Sequence, residues 1–280
     1  MNDLATWVMG WNEVGNEHLA EKLRNWGGVP NVFTYTNYAG SEAENGNHAF
    51  KWSEEHGFKY ILTTDADVDF IHRETIPKMY EFITSGYYPK IGSIRPWRKG
   101  EPAQSAHYPP EKKYVEDGTG VMWRLIGAYY DTEFLYTGWI DLDLGEEYSY
   151  RGWEHYNDRR YPVMHDMTGS NSHNRSSLLN AAKKRNKLIL DYKWYMCGRD
   201  KWQGVEAFNV TLPVEKRVPT INQLVCYSNE EQEQFAQSIS PEHHQIWVKD
   251  HHENPNLVWA NPCIVGYSTR ERFEAQYGYS

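Results

Sequence analysis

The sequence predicts an α/β fold: a mostly parallel sheet flanked by helices, followed by a small C-terminal appendage. Three observations carry this. Short apolar runs alternate with amphipathic stretches at helical spacing through the first half of the chain, a pattern that builds a parallel sheet with helices on both faces. Glycines and capping residues fall between the runs, where turns belong. The length of 280 residues, with 40% hydrophobic and 15% aromatic side chains, supports one large domain plus an appendage and excludes a disordered chain.

Residues 6–10 (Thr-Trp-Val-Met-Gly) read as a first buried strand. Asn16 then caps a helix with Leu19, Leu23 and Trp26 on one face, ended by Gly27 and Gly28. Residues 31–35 form a second strand, 48–56 a helix stopped by Gly57, and 60–64 a third strand running into Asp65-Ala66-Asp67. Thr75 caps a helix carrying Ile76, Tyr80 and Ile83, closed by Gly86. Residues 91–94 are a fourth strand and 120–125 a further one. A Pro-rich irregular stretch, 100–117, lies between them. Residues 176–195 read as a long helix. The composition changes near Pro213, which divides the chain into a main domain, 1–212, and an appendage, 213–280. The appendage opens with a strand at 223–227. A capping box at Ser228-Asn229-Glu230-Glu231 then starts a helix.

Charge and cysteine content narrow the function. The net charge is −9 with no dense Lys/Arg run, which disfavours broad nucleic-acid binding. The three cysteines, Cys197, Cys226 and Cys263, are far apart, form no CxxC pair and fit a reducing cytoplasm. No apolar stretch is long enough to span a membrane, and the first residues lack the pattern of a secretory signal.

Two acidic pairs carry the chemistry. Asp65 and Asp67 follow an apolar strand directly, at the sheet edge where α/β proteins bind ligands. Alternate carboxylates there suit Mg²⁺ or Mn²⁺. The same residues also read as an acidic turn closing a strand. Asp141 and Asp143 sit in an apolar, aromatic frame beside Trp139. In an extended segment they share a side, and a carboxylate partly desolvated by Trp139 moves toward general-base range. Alternatively, they are helix-start acids favoured by the dipole. His165 ends a short apolar strand and becomes a ligand candidate because the acids already ask for a metal.

Taken together these segments resemble family 2 of the GT-A glycosyltransferases, in family order. Met9-Gly10-Trp11-Asn12-Glu13 is similar to the first-strand signature, and residues 61–67 to the hydrophobic run ending in DxD. Gly118-Thr119-Gly120-Val121-Met122 resembles the glycine-containing strand that lines donor and acceptor sites. Residues 134–165, with Asp141-Leu142-Asp143, Arg151-Gly152-Trp153 and His165, resemble the block holding the catalytic acid and terminal histidine. The resemblance covers residues 6–195. It implies a GT-A type, Rossmann-like sheet and an inverting, metal-dependent hexosyl- or pentosyltransferase using a nucleotide-diphosphate sugar, foremost a UDP-sugar. It also implies that Asp65, Asp67 and His165 hold Mn²⁺ or Mg²⁺ and that Asp141 is the general base. Trp11, Asn12, Glu13, Asn37, Asp65, Gly118, Thr119, Trp139 and Asp143 would line the nucleotide sugar. The chain departs from the family where an acid recognising uracil is expected, since Thr36 or Asn37 stands there, and Ile140 replaces the acid that often precedes the base. The signature of processive polymer synthases is absent.

The implied acceptor is a hydroxyl on a glycan, lipid-linked sugar or protein, or on a hydroxymethylated DNA base. Rival readings are a nucleotidyltransferase, whose basic glycine-rich loop is missing after the first strand, and a nucleotide-sugar-binding protein without turnover. Arg95, Arg98 and Lys99 read as a solvated basic loop rather than a phosphate site. His243, His244, His251 and His252 read as surface histidines, and Cys197 as packing.

Overall fold

The computed structural model describes residues 1–10, 13–35, 42–98, 111–112, 120–134, 138–165, 177–213, 216–218, 220–224, 244–248 and 264–267. Trp11, Asn12, Asn37, Lys99, Gly118, Thr119, His243, His251, His252, most of the Pro-rich stretch and the capping box at 228–231 lie outside them. The chain forms two compact units, the first comprising 1–37, 44–130 and 141–170, the second 38–43, 131–140 and 171–280.

In the first unit, β1 (Leu4–Met9), α1 (Glu13–Asn25), β2 (Val32–Tyr35), α2 (Glu42–Glu55) and β3 (Tyr60–Asp65) follow in order. Next come β4 (Val68–Asp69), α3 (Thr75–Thr84), β5 (Ile91–Arg98), β6 (Glu111–Lys112), β7 (Val121–Arg124), α4 (Ile140–Tyr150) and β8 (Glu154–His165). The sheet order is β2-β1-β3-β7-β5-β8-β4, with β6 pairing β8. β1 runs parallel to β2 and β3, and β5 parallel to β8; β7 is inserted antiparallel between β3 and β5. The strands β1, β2, β3, β5 and β8 therefore point the same way, as the mostly parallel reading expects. The first five residues of both β1 and β3 are buried, which is why these strands read as continuous apolar runs.

The helices differ in detail from the sequence reading. Asn16 is not a cap but lies inside α1, fully buried, and its amide donates to the carbonyls of Gly10 (3.1 Å) and Tyr35 (3.3 Å). It ties the carboxyl ends of β1 and β2 together, a tertiary use that no local pattern encodes. Trp26 falls past the helix end and is 43% exposed rather than in the core. Thr75 is the first helical residue of α3, and its hydroxyl donates to the carbonyl of His72 instead of capping. β5 extends beyond residue 94 to Arg98, so Arg95 lies in a strand, 2% exposed, and not in a solvated loop.

A buried histidine that the sequence did not mark sits between β8 and α4. His155 Nδ1 meets Ser93 Oγ at 2.7 Å, and Nε2 meets the Gly145 carbonyl at 2.9 Å. Burial pushes its pKa down to about 4, because the charged ring is disfavoured there. Its folded value lies below the unfolded one, so the unfolded state takes up the extra proton and stability falls as pH drops below about 6.5. The expected loss between pH 7 and 5 is about 2 kcal/mol from this group. Urea denaturation at the two pH values should show a weaker pH dependence for His155→Gln. An equal dependence in variant and parent would refute the assignment.

The second unit holds α5 (Ser177–Leu190), continued by a π-helical turn, Asp191–Met196. A 3₁₀ turn (Arg199–Lys201) and α6 (Val205–Asn209) follow. β9 (Thr220–Leu224), β10 (His244–Val248) and β11 (Ile264–Tyr267) form a separate parallel sheet in the order β11-β10-β9. In this unit Lys193, 4% exposed, is held by Asp131 at 2.9 Å, and buried Arg185 donates to the Glu133 carbonyl.

Candidate active site

The acidic turn forms where β3 ends. Asp65 is the last residue of β3 and is paired in register with Met9 of β1. Ala66 and Asp67 turn the chain into β4, whose Val68 lies opposite His165 at the end of β8. This two-residue antiparallel pairing is what carries a histidine a hundred positions away to the turn. Gly10 closes the other side: an added Cβ would lie 2.8 Å from Asn16 Oδ1 and 3.7 Å from Ala66 Cβ, so no larger residue fits between the β1 end and the turn.

Asp65, Asp67 and His165 each offer a ligand atom, and these atoms all lie within 4.8 Å of one another. His165 Nε2 is 3.2 Å from Asp67 Oδ1, yet among the described residues that buried oxygen has no hydrogen-bond partner. The two atoms are close but not aligned to share a proton, which is how neighbouring ligands of one cation stand. Two carboxylates and an imidazole fit Mn²⁺, which accepts both donor types, and also Mg²⁺. Asp69, the next acid, is instead bound to Lys22.

Asp141 and Asp143 are helical, not extended, and lie in the first turn of α4, where the helix dipole favours acids. Two residues apart on a helix, they diverge by about 200° rather than sharing a side. Asp143 is 1% exposed, whereas Asp141 is half-buried and accepts a hydrogen bond from Tyr130 Oη at 3.4 Å. Tyr130 is itself fixed from α2. Its backbone N–H donates to Asn47 Oδ1 at 2.8 Å, and its carbonyl accepts from Asn47 Nδ2 at 2.9 Å. Its ring lies so close to Gly46 that an added Cβ would be 2.4 Å from it. Gly46→Ala should therefore lower stability, although alanine favours a helix by about 1 kcal/mol, because overpacking costs about 1–3 kcal/mol. Urea denaturation decides this, and a stability equal to or above the parent's would contradict it.

In the second unit, Gly138 and Trp139 precede α4 in unusual conformations, with φ of 90° and 69°. Asn186 Nδ2 donates to the Gly138 carbonyl at 3.0 Å, and Lys187 Nζ lies 5.5 Å from the centre of the Trp139 ring. A tryptophan in the left-handed region is strained, and such strain gathers at functional positions. Trp139 is 40% exposed. Glu13, the exposed first residue of α1, follows the undescribed pair Trp11 and Asn12. The sequence reading missed Asn16, Gly46, Asn47 and Tyr130. The only signal for them was an asparagine inside a helical pattern and a glycine between two asparagines.

The fold and these residues define an α/β protein with a candidate divalent-cation triad at the carboxyl edge of its sheet. No protein-family model and no curated protein match the chain. Among solved structures it is similar to A197 from STIV, at 11% identity and a TM-score of 0.42, over 58% of this chain and 84% of that one. The catalytic domain of Drosophila beta1,4galactosyltransferase 7 with xylobiose is similar at 13% identity and a TM-score of 0.42, over 60% of this chain and 72% of that one. TarS residues 1–349 from S. aureus are similar at 13% identity and a TM-score of 0.41, over 91% of this chain and 82% of that one. Among the described residues no helix is long and apolar enough to cross a membrane.

Proposed function

We propose that this protein is an inverting, metal-dependent glycosyltransferase that moves a sugar from a nucleotide-diphosphate donor, foremost a UDP-sugar, to an acceptor hydroxyl. The observation that carries the reading is the convergence of Asp65, Asp67 and His165 on one point at the carboxyl edge of the sheet. A divalent cation held there would neutralise the leaving diphosphate. Asp141, on a helix start and hydrogen-bonded by Tyr130, is the carboxylate assigned to take the acceptor hydroxyl's proton as its oxygen attacks the anomeric carbon. With one base and direct displacement, the anomeric configuration inverts. A glycan or protein hydroxyl suits the acidic net charge better than a hydroxymethylated DNA base does.

The test is a panel of nucleotide sugars with Mn²⁺ or Mg²⁺, followed by release of the nucleoside diphosphate. Turnover of one donor, dependent on the cation, is expected. If no donor in the panel binds or turns over, this function is wrong.

A further inference from the structure

The buried stripe of α1 is Asn16, Leu19, Ala20 and Leu23, the spacing of a helix face turned to a core. Its first member is an amide, fully buried where an apolar residue would pack without needing partners. Its hydrogen bonds show what holds it there. Both ladders of β1 end at Met9, which pairs with Tyr35 on one side and Asp65 on the other. One residue further, the Gly10 carbonyl accepts from Asn16 Nδ2 at 3.1 Å, and the same nitrogen reaches the Tyr35 carbonyl at 3.3 Å. The amide continues the cross-strand bonding past the point where the strands stop.

Asn16 also reaches the acidic turn through packing. A Cβ on Gly10 would lie 2.8 Å from Asn16 Oδ1 and 3.7 Å from Ala66 Cβ, so the Gly10 backbone is held between the amide and the residue that separates Asp65 from Asp67. Gly10 is not among the glycines with positive φ, so its missing side chain serves this close approach and not an unusual backbone conformation. Ala66 in turn packs against the core. Close-packed neighbours transmit displacement. A shift of the Gly10 backbone is therefore felt at the turn whose two carboxylates, with His165, place ligand atoms within 4.8 Å of one another.

We infer that Asn16 is a positioning residue for the cation triad. By holding the Gly10 and Tyr35 carbonyls it fixes the end of β1 against Ala66, and with it the places of Asp65 and Asp67. A site whose ligands are set by a supporting contact loses affinity when that contact loosens, even though no ligand is removed. A purely structural amide would add to stability and leave the cation alone. This inference rests on the metal-dependent reading above for the role of its cation.

The test compares Asn16→Ala, Gly10→Ala and the double variant, with Ile83→Ala as the control. Ile83 is buried in α3, and its carbonyl accepts from Arg124, whose partner in register is Tyr60, at the opposite end of β3 from Asp65. Mn²⁺ affinity is measured without nucleotide, well below each melting midpoint. Asn16→Ala and Gly10→Ala should each lose about tenfold. The second does so because its methyl presses on an amide that can yield only by giving up its carbonyls. The double variant should also lose about tenfold rather than about a hundredfold, since removing the amide makes room for the methyl and both changes break one contact. Ile83→Ala should lower the melting midpoint and leave Mn²⁺ affinity unchanged. In the metal-free protein, the amide NMR shifts of Ala66 and Asp67 should move in both single variants. Parental Mn²⁺ affinity in either single variant overturns the inference, as do additive losses in the double variant. An equal loss in Ile83→Ala overturns it too, because general destabilisation would then explain the effect. If Asn16→Ala does not fold, Gly10→Ala decides alone. Failure of the parent to bind Mn²⁺ would instead sink the proposed function, and unmoved shifts at Ala66 and Asp67 would still overturn this inference.

Discussion

Asp141→Asn is expected to lower sugar transfer by about 10²–10⁴-fold while leaving the affinity for donor and Mn²⁺ within about twofold of the parent's. The substitution preserves the size of the side chain and its position in the first turn of α4, so folding should be undisturbed. An asparagine amide cannot take the acceptor's proton, which is why turnover falls and binding does not. Single-turnover transfer and equilibrium donor binding, measured on the same preparation, check both halves. Near-parental turnover removes Asp141 as the base. A large loss of donor affinity reassigns it to substrate binding.

The second large effect concerns the cation. Asp67→Asn and His165→Ala should each weaken Mn²⁺ binding by about 10-fold or more. Losing only an outer-shell partner typically costs about 10–100-fold, so losing a ligand should cost at least as much. Asp69→Asn serves as the control and should leave Mn²⁺ affinity unchanged, because Asp69 is bound to Lys22 and lies outside the triad. Calorimetry or Mn²⁺ paramagnetic resonance on the protein without nucleotide reads this independently of activity. Comparable losses for Asp69→Asn and Asp67→Asn would mean diffuse attraction of the cation by an acidic surface rather than a defined site.

Much of the candidate site was legible because its signals are local. An apolar run ending in Asp65-Ala66-Asp67 identifies a buried strand with acids at its edge, and the structure has that arrangement. The secondary structure of Asp141 and Asp143 was not legible. A short segment with aromatic and apolar neighbours suits either a strand or a helix start, and the helix of α4 then separates two acids that an extended chain would have kept together. Arg95 misled for a related reason. A run of basic residues usually marks a solvated loop, whereas β5 continues through it and buries the first of them.

From the order of its apolar runs and turns alone, this chain determined that it forms a sheet of mostly parallel strands with helices between them and acids at the carboxyl edge. That information is carried by periodicity and needs no partner. Tertiary structure alone decided which distant residues meet: His165 reaching Asp67 through the pairing of β4 with β8, Asn16 joining the ends of β1 and β2, and Tyr130 held by α2 against Asp141. Each is a contact between residues far apart in sequence. Each depends on strand register and helix packing, which follow from the summed burial of the whole unit and leave no mark on the neighbouring residues.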